Sequence, residues 1–204
     1  MTLRPTLSPD AVLERVGAFF MGTSPIHSAA REITRRLDEM GIDHAIAGAL
    51  CLGAHGAIRA TEDVDIVIRK ADLDRFKATW IGRGYVDIRP GGKAIRDTVN
   101  NVKIDFLIAG DYPGDGKPKA VAFPDPATVA VEVGDLRVVA LERFVELKLA
   151  SGISAPHRLQ DLADVLRLVE VRGLGRELAD ALDTSVRAKY LELWQAAQHP
   201  PDDY

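Results

Sequence analysis

The chain has 204 residues, 47% of them hydrophobic and 27% charged, with a formal net charge of −4. This is an ordinary globular composition, long enough to bury one sizeable core, and its acidic balance argues against a basic nucleic-acid coat while leaving a local basic groove open. A single cysteine, Cys51, excludes an internal disulfide and a Cys-based zinc site, and no apolar run approaches the length of a membrane span.

Ser8-Pro9-Asp10 marks a short first helix, with Ser8 as cap and Pro9 at the first helical position. Pro5 and Pro9, without a basic start leading to a long apolar run, do not make an export signal. A cytoplasmic location is therefore expected. An amphipathic helix is expected over 28–40, stopped by Gly41. Residues 43–48 read as a short strand running into Gly48-Ala49, and 50–56 as a short helix ended by Gly56. A strand, a glycine and a helix start offer backbone N–H groups and the positive end of a helix dipole, where phosphate binds well. Glycine lets the ligand approach the backbone. Many strand-to-helix turns contain glycine, so the signal rests on position, about fifteen residues before the acids described next.

Arg59-Ala-Thr61-Glu-Asp63-Val-Asp65-Ile-Val-Ile places two carboxylates two residues apart in a β-branched run. In a strand, residues i and i+2 share a face. Asp63 and Asp65 then project together, with Val64, Ile66 and Ile68 on the apolar side. Adjacent carboxylates repel and are costly to desolvate; a hard cation such as Mg²⁺ (or Mn²⁺) removes both problems. Residues 102–109 form a second such run, with Ile104, Phe106 and Ile108 on one face and Asp105 on the other, beside Lys103 and Leu107. Paired strands would bring three carboxylates to one face, the ligand set of a two-metal phosphoryl-transfer site. The alternative is three solvated residues on an exposed sheet.

Between and beyond the acids, a helix is expected over 72–82 and strands over 85–88 and 94–99. The turn-rich stretch 111–119 is a loop leaving the Asp105 strand, either substrate-contacting or a plain connection. Further strand is expected over 129–139. From Leu141 the pattern turns helical. Leu141, Phe144, Val145 and Lys148 form an i, i+3, i+4, i+7 stripe that puts a lysine on an inward face. Lys148 reaches water past the core, pairs with Asp161, or meets phosphate. Leu162, Leu166 and Val169 line the next helix, on which Arg158 and Asp161 stand as i, i+3 neighbours. Gly173 and Gly175 precede a last helix carrying Leu178, Leu182, Val186, Tyr190 and Leu193. Cys51, His44 and His55 read as structural residues near the glycine turn rather than as a nucleophile or base.

Gly48-Ala49, then Arg59-x-Thr61-x-Asp63-x-Asp65, then Asp105 on its own strand, resembles the nucleotidyltransferase superfamily, which includes DNA polymerase beta and the antibiotic and minimal nucleotidyltransferases. The spelling, with Leu147-Lys148-Leu149-Ala150-Ser151-Gly152 and Arg158-Leu-Gln-Asp161-Leu-Ala-Asp164, is closest to the AbiEii-type branch, which includes toxins of toxin–antitoxin systems. The family's glycine turn carries a second glycine, serine or threonine where this chain has Ala49, so a hydroxyl contact to phosphate is lost while backbone contacts survive.

The resemblance implies an α/β (α+β) fold: a nucleotidyltransferase-like mixed sheet flanked by helices in a core over 1–140, with a helical C-terminal part over 141–204. It implies an NTP as substrate, bound over Gly48 and Ala49. Asp63, Asp65 and Asp105 would act as catalytic and metal-binding residues, and Arg59, Thr61, Lys148, Arg158 and Asp161 would serve the nucleotide. The acceptor is RNA, protein or a small molecule such as an antibiotic, with an antitoxin as a partner in the toxin case. A domain of this fold that binds nucleotide without catalysis is the remaining alternative.

Overall fold

The computed structural model describes residues 17–19 and 22–198; the helix expected from Ser8 lies outside them. Among the described residues the chain forms a seven-stranded mixed sheet flanked by helices. Helix α1 (Pro25–Glu39) begins earlier than its apolar pattern alone indicates, because Ser24 is extended and Pro25 suits the first helical turn. Strand β1 (His44–Ile46) leads into α2 (Gly48–Ala54), then β2 (Asp63–Ile68) and α3 (Lys70–Trp80). A meander follows, β3 (Tyr85–Asp87), β4 (Ala94–Asp97) and β5 (Val102–Ile108). The strand order is β3-β4-β5-β2-β1, continued by the two strands described next.

The run expected as one strand over 129–139 is instead a one-turn helix and a hairpin. Helix α4 (Pro126–Val129) is capped by Asp125, whose carboxylate accepts the Ala127 N–H at 3.0 Å. Strands β6 (Ala130–Val133) and β7 (Leu136–Val139) then pair around Gly134, at φ +64°. β7 joins β1 in parallel, with Ile46 beside Val138, and β6 closes that end of the sheet.

β2 and β5 are parallel neighbours at the centre. Their inward residues Val64, Ile66, Ile68, Ile104, Phe106 and Ile108 are all buried. Helix α1 packs against both strands, and Phe76 of α3 meets Phe106 with ring centroids 6.1 Å apart. The opposite face of the same two strands carries the acids.

Helix α5 (Leu141–Ser154) is buried from Phe144 to Gly152, polar residues included, and packs against α6 (Leu159–Arg172) and α8 (Thr184–Ala197). A Cβ at Gly152 would meet Leu162 Cγ and Cδ2 at 2.6 Å, so this glycine sets how closely α5 and α6 approach. The buried face of α6 is Asp161, Asp164, Val165, Leu168 and Val169, with Leu162 and Leu166 only half-buried. The face is rotated from the expected stripe because Lys148 draws two carboxylates inward. The expected last helix is two: α7 (Leu178–Ala181), and α8, whose Asp183 cap accepts the Ser185 N–H at 2.9 Å. One hydrophobic cluster runs from Phe19 to Tyr190. No helix of the described residues is long and apolar enough to cross a membrane.

Candidate functional site

The β2–β5 register sets Asp65 directly beside Asp105, and Asp63 beside Lys103. Parallel pairing leaves both side chains of each pair on the same face, so the two aspartates confront each other. The turn after β1 presses on them from one side. Ala47 donates its N–H to the Asp65 carbonyl at 2.8 Å. Gly48 follows at φ +58°, and a Cβ there would lie 1.9 Å from Asp65 Oδ2. Glycine is needed twice over, for its backbone conformation and for the space its missing side chain leaves to the carboxylate.

Burial, then the neighbouring charges of Asp63 and Asp105, push the Asp65 carboxyl up to about 6, against the pull of Lys148 and Lys103. The other two acids have found partners. Thr61 Oγ1 donates to Asp63 Oδ1 at 2.7 Å, and the Lys103 ammonium lies 2.5 Å from Asp105 Oδ2. Among the described residues no group of three or more His, Cys, Asp or Glu side chains is placed to hold a metal ion, so the expected three-carboxylate set is not assembled as one here. The donor chemistry nevertheless fits a hard divalent cation. Asp65 stays short of positive charge, and its nearest acidic neighbours are hard oxygen donors.

A cleft of about 470 Å³ opens over this face. Of the residues expected at the site, Gly48, Asp65, Asp105, Lys148, Arg158 and Asp161 line it together. Asp63, Thr61, Arg59 and Ala49 are not in its lining; Ala49 is buried in α2. The loop after β5 supplies Tyr112, Pro113 and Gly114 as one wall of the cleft. That wall is clamped onto the end of α5. Lys119 donates to the Pro113 carbonyl at 2.6 Å and to Ser154 Oγ at 2.9 Å. A Cβ at Gly114 would sit 2.8 Å from the Ser151 carbonyl oxygen.

The inward lysine heads a buried ionic network. Lys148 Nζ donates to Asp161 Oδ1 at 2.7 Å and to Asp164 Oδ2 at 2.8 Å. Ser151 Oγ donates to Asp161 Oδ2 at 2.6 Å. Arg59 reaches Asp164 through Nε at 3.1 Å, and Gln160 Nε2 donates to it at 3.0 Å. Arg158 is half-exposed at the cleft, 3.8 Å from Asp161. Burial alone would raise the Asp164 carboxyl, but the charge of Lys148 and the hydrogen bonds from Lys148, Gln160 and Arg59 hold it below its ordinary value. Arg59 and Lys148, expected on phosphate, are thus engaged with acids in this state.

Ser151, Asp164 and Lys93 belong to the surroundings of the site without having been singled out as candidates. Ser151 and Asp164 are polar residues one helical turn from Lys148 and Asp161, a spacing that could have flagged them. Lys93 enters from the turn before β4, with no signal in the sequence. His44 and His55 are each held by a backbone carbonyl. His55 Nε2 donates to the Val139 carbonyl at 2.7 Å and His44 Nδ1 to that of Ile42 at 3.0 Å. Burial holds the His44 pKa below its ordinary value and pushes the Cys51 thiol up, out of reactive range.

No family model matches the chain, and no curated protein matches it in sequence. Among solved structures, the antibiotic-resistance factor ANT(2'')-Ia is similar, with a TM-score of 0.52 at 16% identity, over 82% of this chain and 94% of that one. An antigenic nucleotidyltransferase-like protein from Paracoccidioides brasiliensis gives 0.51 at 14% identity, over 86% and 88%. The shared feature is the fold, a mixed sheet flanked by helices of the nucleotidyltransferase kind.

Gly48→Ala should cost at least about 1–2 kcal/mol for the left-handed backbone, with the clash against Asp65 added to it. Its methyl would meet Oδ2, Cγ and Cβ of Asp65 at 1.9, 2.8 and 3.1 Å, so the carboxylate must turn away and the Gly48 turn or β2 must give; a crystal structure of the variant should show the carboxylate displaced. Lys148→Met should lower stability by about 3–5 kcal/mol in urea unfolding, since two buried carboxylates lose their shared cation. The folded-state pKa of Asp164 is depressed, so its stabilisation is present above the ordinary value of 3.8 and lost as pH falls below it. In Lys148→Met the folded-state pKa of Asp164 should rise, so that the loss should end at higher pH and be smaller.

Proposed function

We propose that this chain is a metal-dependent nucleotidyltransferase that moves a nucleoside monophosphate from an NTP to an acceptor hydroxyl. The observation that carries the reading is Asp65 set opposite Asp105 with the Gly48 turn pressed against it. A triphosphate lies over Gly48 and Ala49, met by backbone N–H groups at the start of α2. Mg²⁺ or Mn²⁺, held by Asp63, Asp65 and Asp105, would supply positive charge against the triphosphate and the departing pyrophosphate. Asp105 takes the proton of the acceptor hydroxyl. Its oxygen bonds to the α-phosphorus, and the bond from that phosphorus to the bridging oxygen breaks, releasing pyrophosphate.

Lys148 and Arg158, which line the cleft beside Asp161, would turn toward the phosphates when the triphosphate binds. Arg59 and Thr61 act one step back, Arg59 by anchoring Asp164 and Thr61 by orienting Asp63. On this reading residues 1–140 are the catalytic core and 141–204 the helical part that completes the cleft. A cytoplasmic setting, where NTPs are abundant, goes with it.

Two acceptor classes follow from different observations. The Arg59-x-Thr61-x-Asp63-x-Asp65 spelling supports an AbiEii-type toxin acting on RNA or protein and neutralised by an antitoxin. The likeness to an antibiotic-resistance factor supports a small-molecule acceptor. Labelled NTPs incubated with cell extract, and separately with small hydroxylated drugs, decide between them by which molecule becomes labelled. Asp63→Asn, Asp65→Asn and Asp105→Asn should each reduce transfer about a hundredfold or more. The metal-free Asp65→Asn variant should melt no lower than wild type, because it removes the buried carboxylate that Asp63 and Asp105 repel. Near-full activity in any one of the three would remove that residue from the site.

A further inference from the structure

Lys103 stands inside the acidic group rather than beside it. It lies two residues before Asp105 on β5, on the same face, and directly across from Asp63 on β2. Its ammonium is 2.5 Å from Asp105 Oδ2. The other cations near the cleft are engaged elsewhere. Lys148 is held by Asp161 and Asp164, and Lys93 by Asp111. Arg96, across from Lys103 on β4, donates to the Asn101 carbonyl at 3.1 Å. Arg158 has Asp161 as its carboxylate neighbour. Of these five, Lys103 alone is bonded to one of the three carboxylates assigned to the metal.

A single positive charge on Asp105 relieves part of the repulsion between Asp65 and Asp105. The same charge opposes any second cation entering there. The Lys103 side chain is 41% exposed, so it has room to swing away.

We propose that Lys103 is a resident counter-ion, a positioning residue whose ammonium takes the place of the divalent cation at Asp105 in the metal-free protein and leaves when that cation binds. It thereby sets the metal concentration at which the site fills. This rests on the nucleotidyltransferase reading, since it requires a cation at Asp65 and Asp105.

The test is nucleotide-free Mn²⁺ titration, followed by the electron paramagnetic resonance of unbound Mn²⁺, on the full chain. Lys103→Met should bind Mn²⁺ on the order of tenfold more tightly than wild type, as loss of a like charge at contact distance implies. The rise in melting temperature on adding Mn²⁺ should be correspondingly larger. Lys103→Arg keeps the charge and should stay near wild type. Asp65→Asn serves as the control and should abolish binding. If Asp65→Asn abolishes binding but Lys103→Met binds no more tightly than wild type, the counter-ion role alone is overturned. If wild type and Lys103→Met both fail to bind Mn²⁺, or Asp65→Asn binds as wild type does, the metal site falls and the counter-ion role with it.

Discussion

Two carboxylates face each other across neighbouring parallel strands at the centre of the sheet, and the repulsion between Asp65 and Asp105 conditions what surrounds them. Such a pair is costly in a half-buried setting unless positive charge is near. The chain answers with two ammonium groups and a hydrogen bond: Lys103 on Asp105, Lys148 at longer range, and the Thr61 hydroxyl on Asp63. Asp65 still has its proton affinity raised. On the proposed reading, this residual negative potential beside the glycine turn is what a divalent cation would meet.

The second constraint is ionic as well. Lys148, Asp161 and Asp164 are buried between α5 and α6, and Arg59 on the segment before β2 closes onto Asp164. Such a network is costly to break and contributes little net stability compared with apolar packing. Its consequence is positional. It ties the helices after Leu141 to the segment that leads into the acidic strand, and it fixes Lys148 at the cleft wall. The clamp of the 111–119 loop onto Ser154 does the same for the opposite wall. The cleft is built from the β2–β5 pair below and fixed helical and loop walls on its sides.

Much of this was legible in the sequence because it depends on short periods. The alternation in Asp63-Val-Asp65-Ile and Lys103-Ile-Asp105-Phe dictates which side chains share a face, and the structure places them so. The glycine turn was legible for the same local reason. What pairing would do to side chains was not. That Lys103 would fall on Asp105, and that Gly48 would have no room for a methyl because of Asp65, depends on strand register and close approach across the sheet. The rotated face of α6 was hidden because an apolar stripe cannot register a lysine that buries two aspartates. The hairpin over 130–139 was legible in Gly134-Asp135, a two-residue turn between alternating runs, and was missed because the flanking Val, Glu and Arg read as one continuous strand.

The central claim is that the Asp65–Asp105 pair and the Gly48 turn form one site for a metal-bound triphosphate. Crystals soaked with Mn²⁺ and a non-hydrolysable NTP analogue test it directly, through the anomalous scattering of manganese. The account predicts a manganese peak within ligand distance of Asp65 and Asp105, with the phosphates against the backbone of Gly48 and Ala49. Nucleotide bound elsewhere on the protein, or manganese bound away from both aspartates, would contradict it.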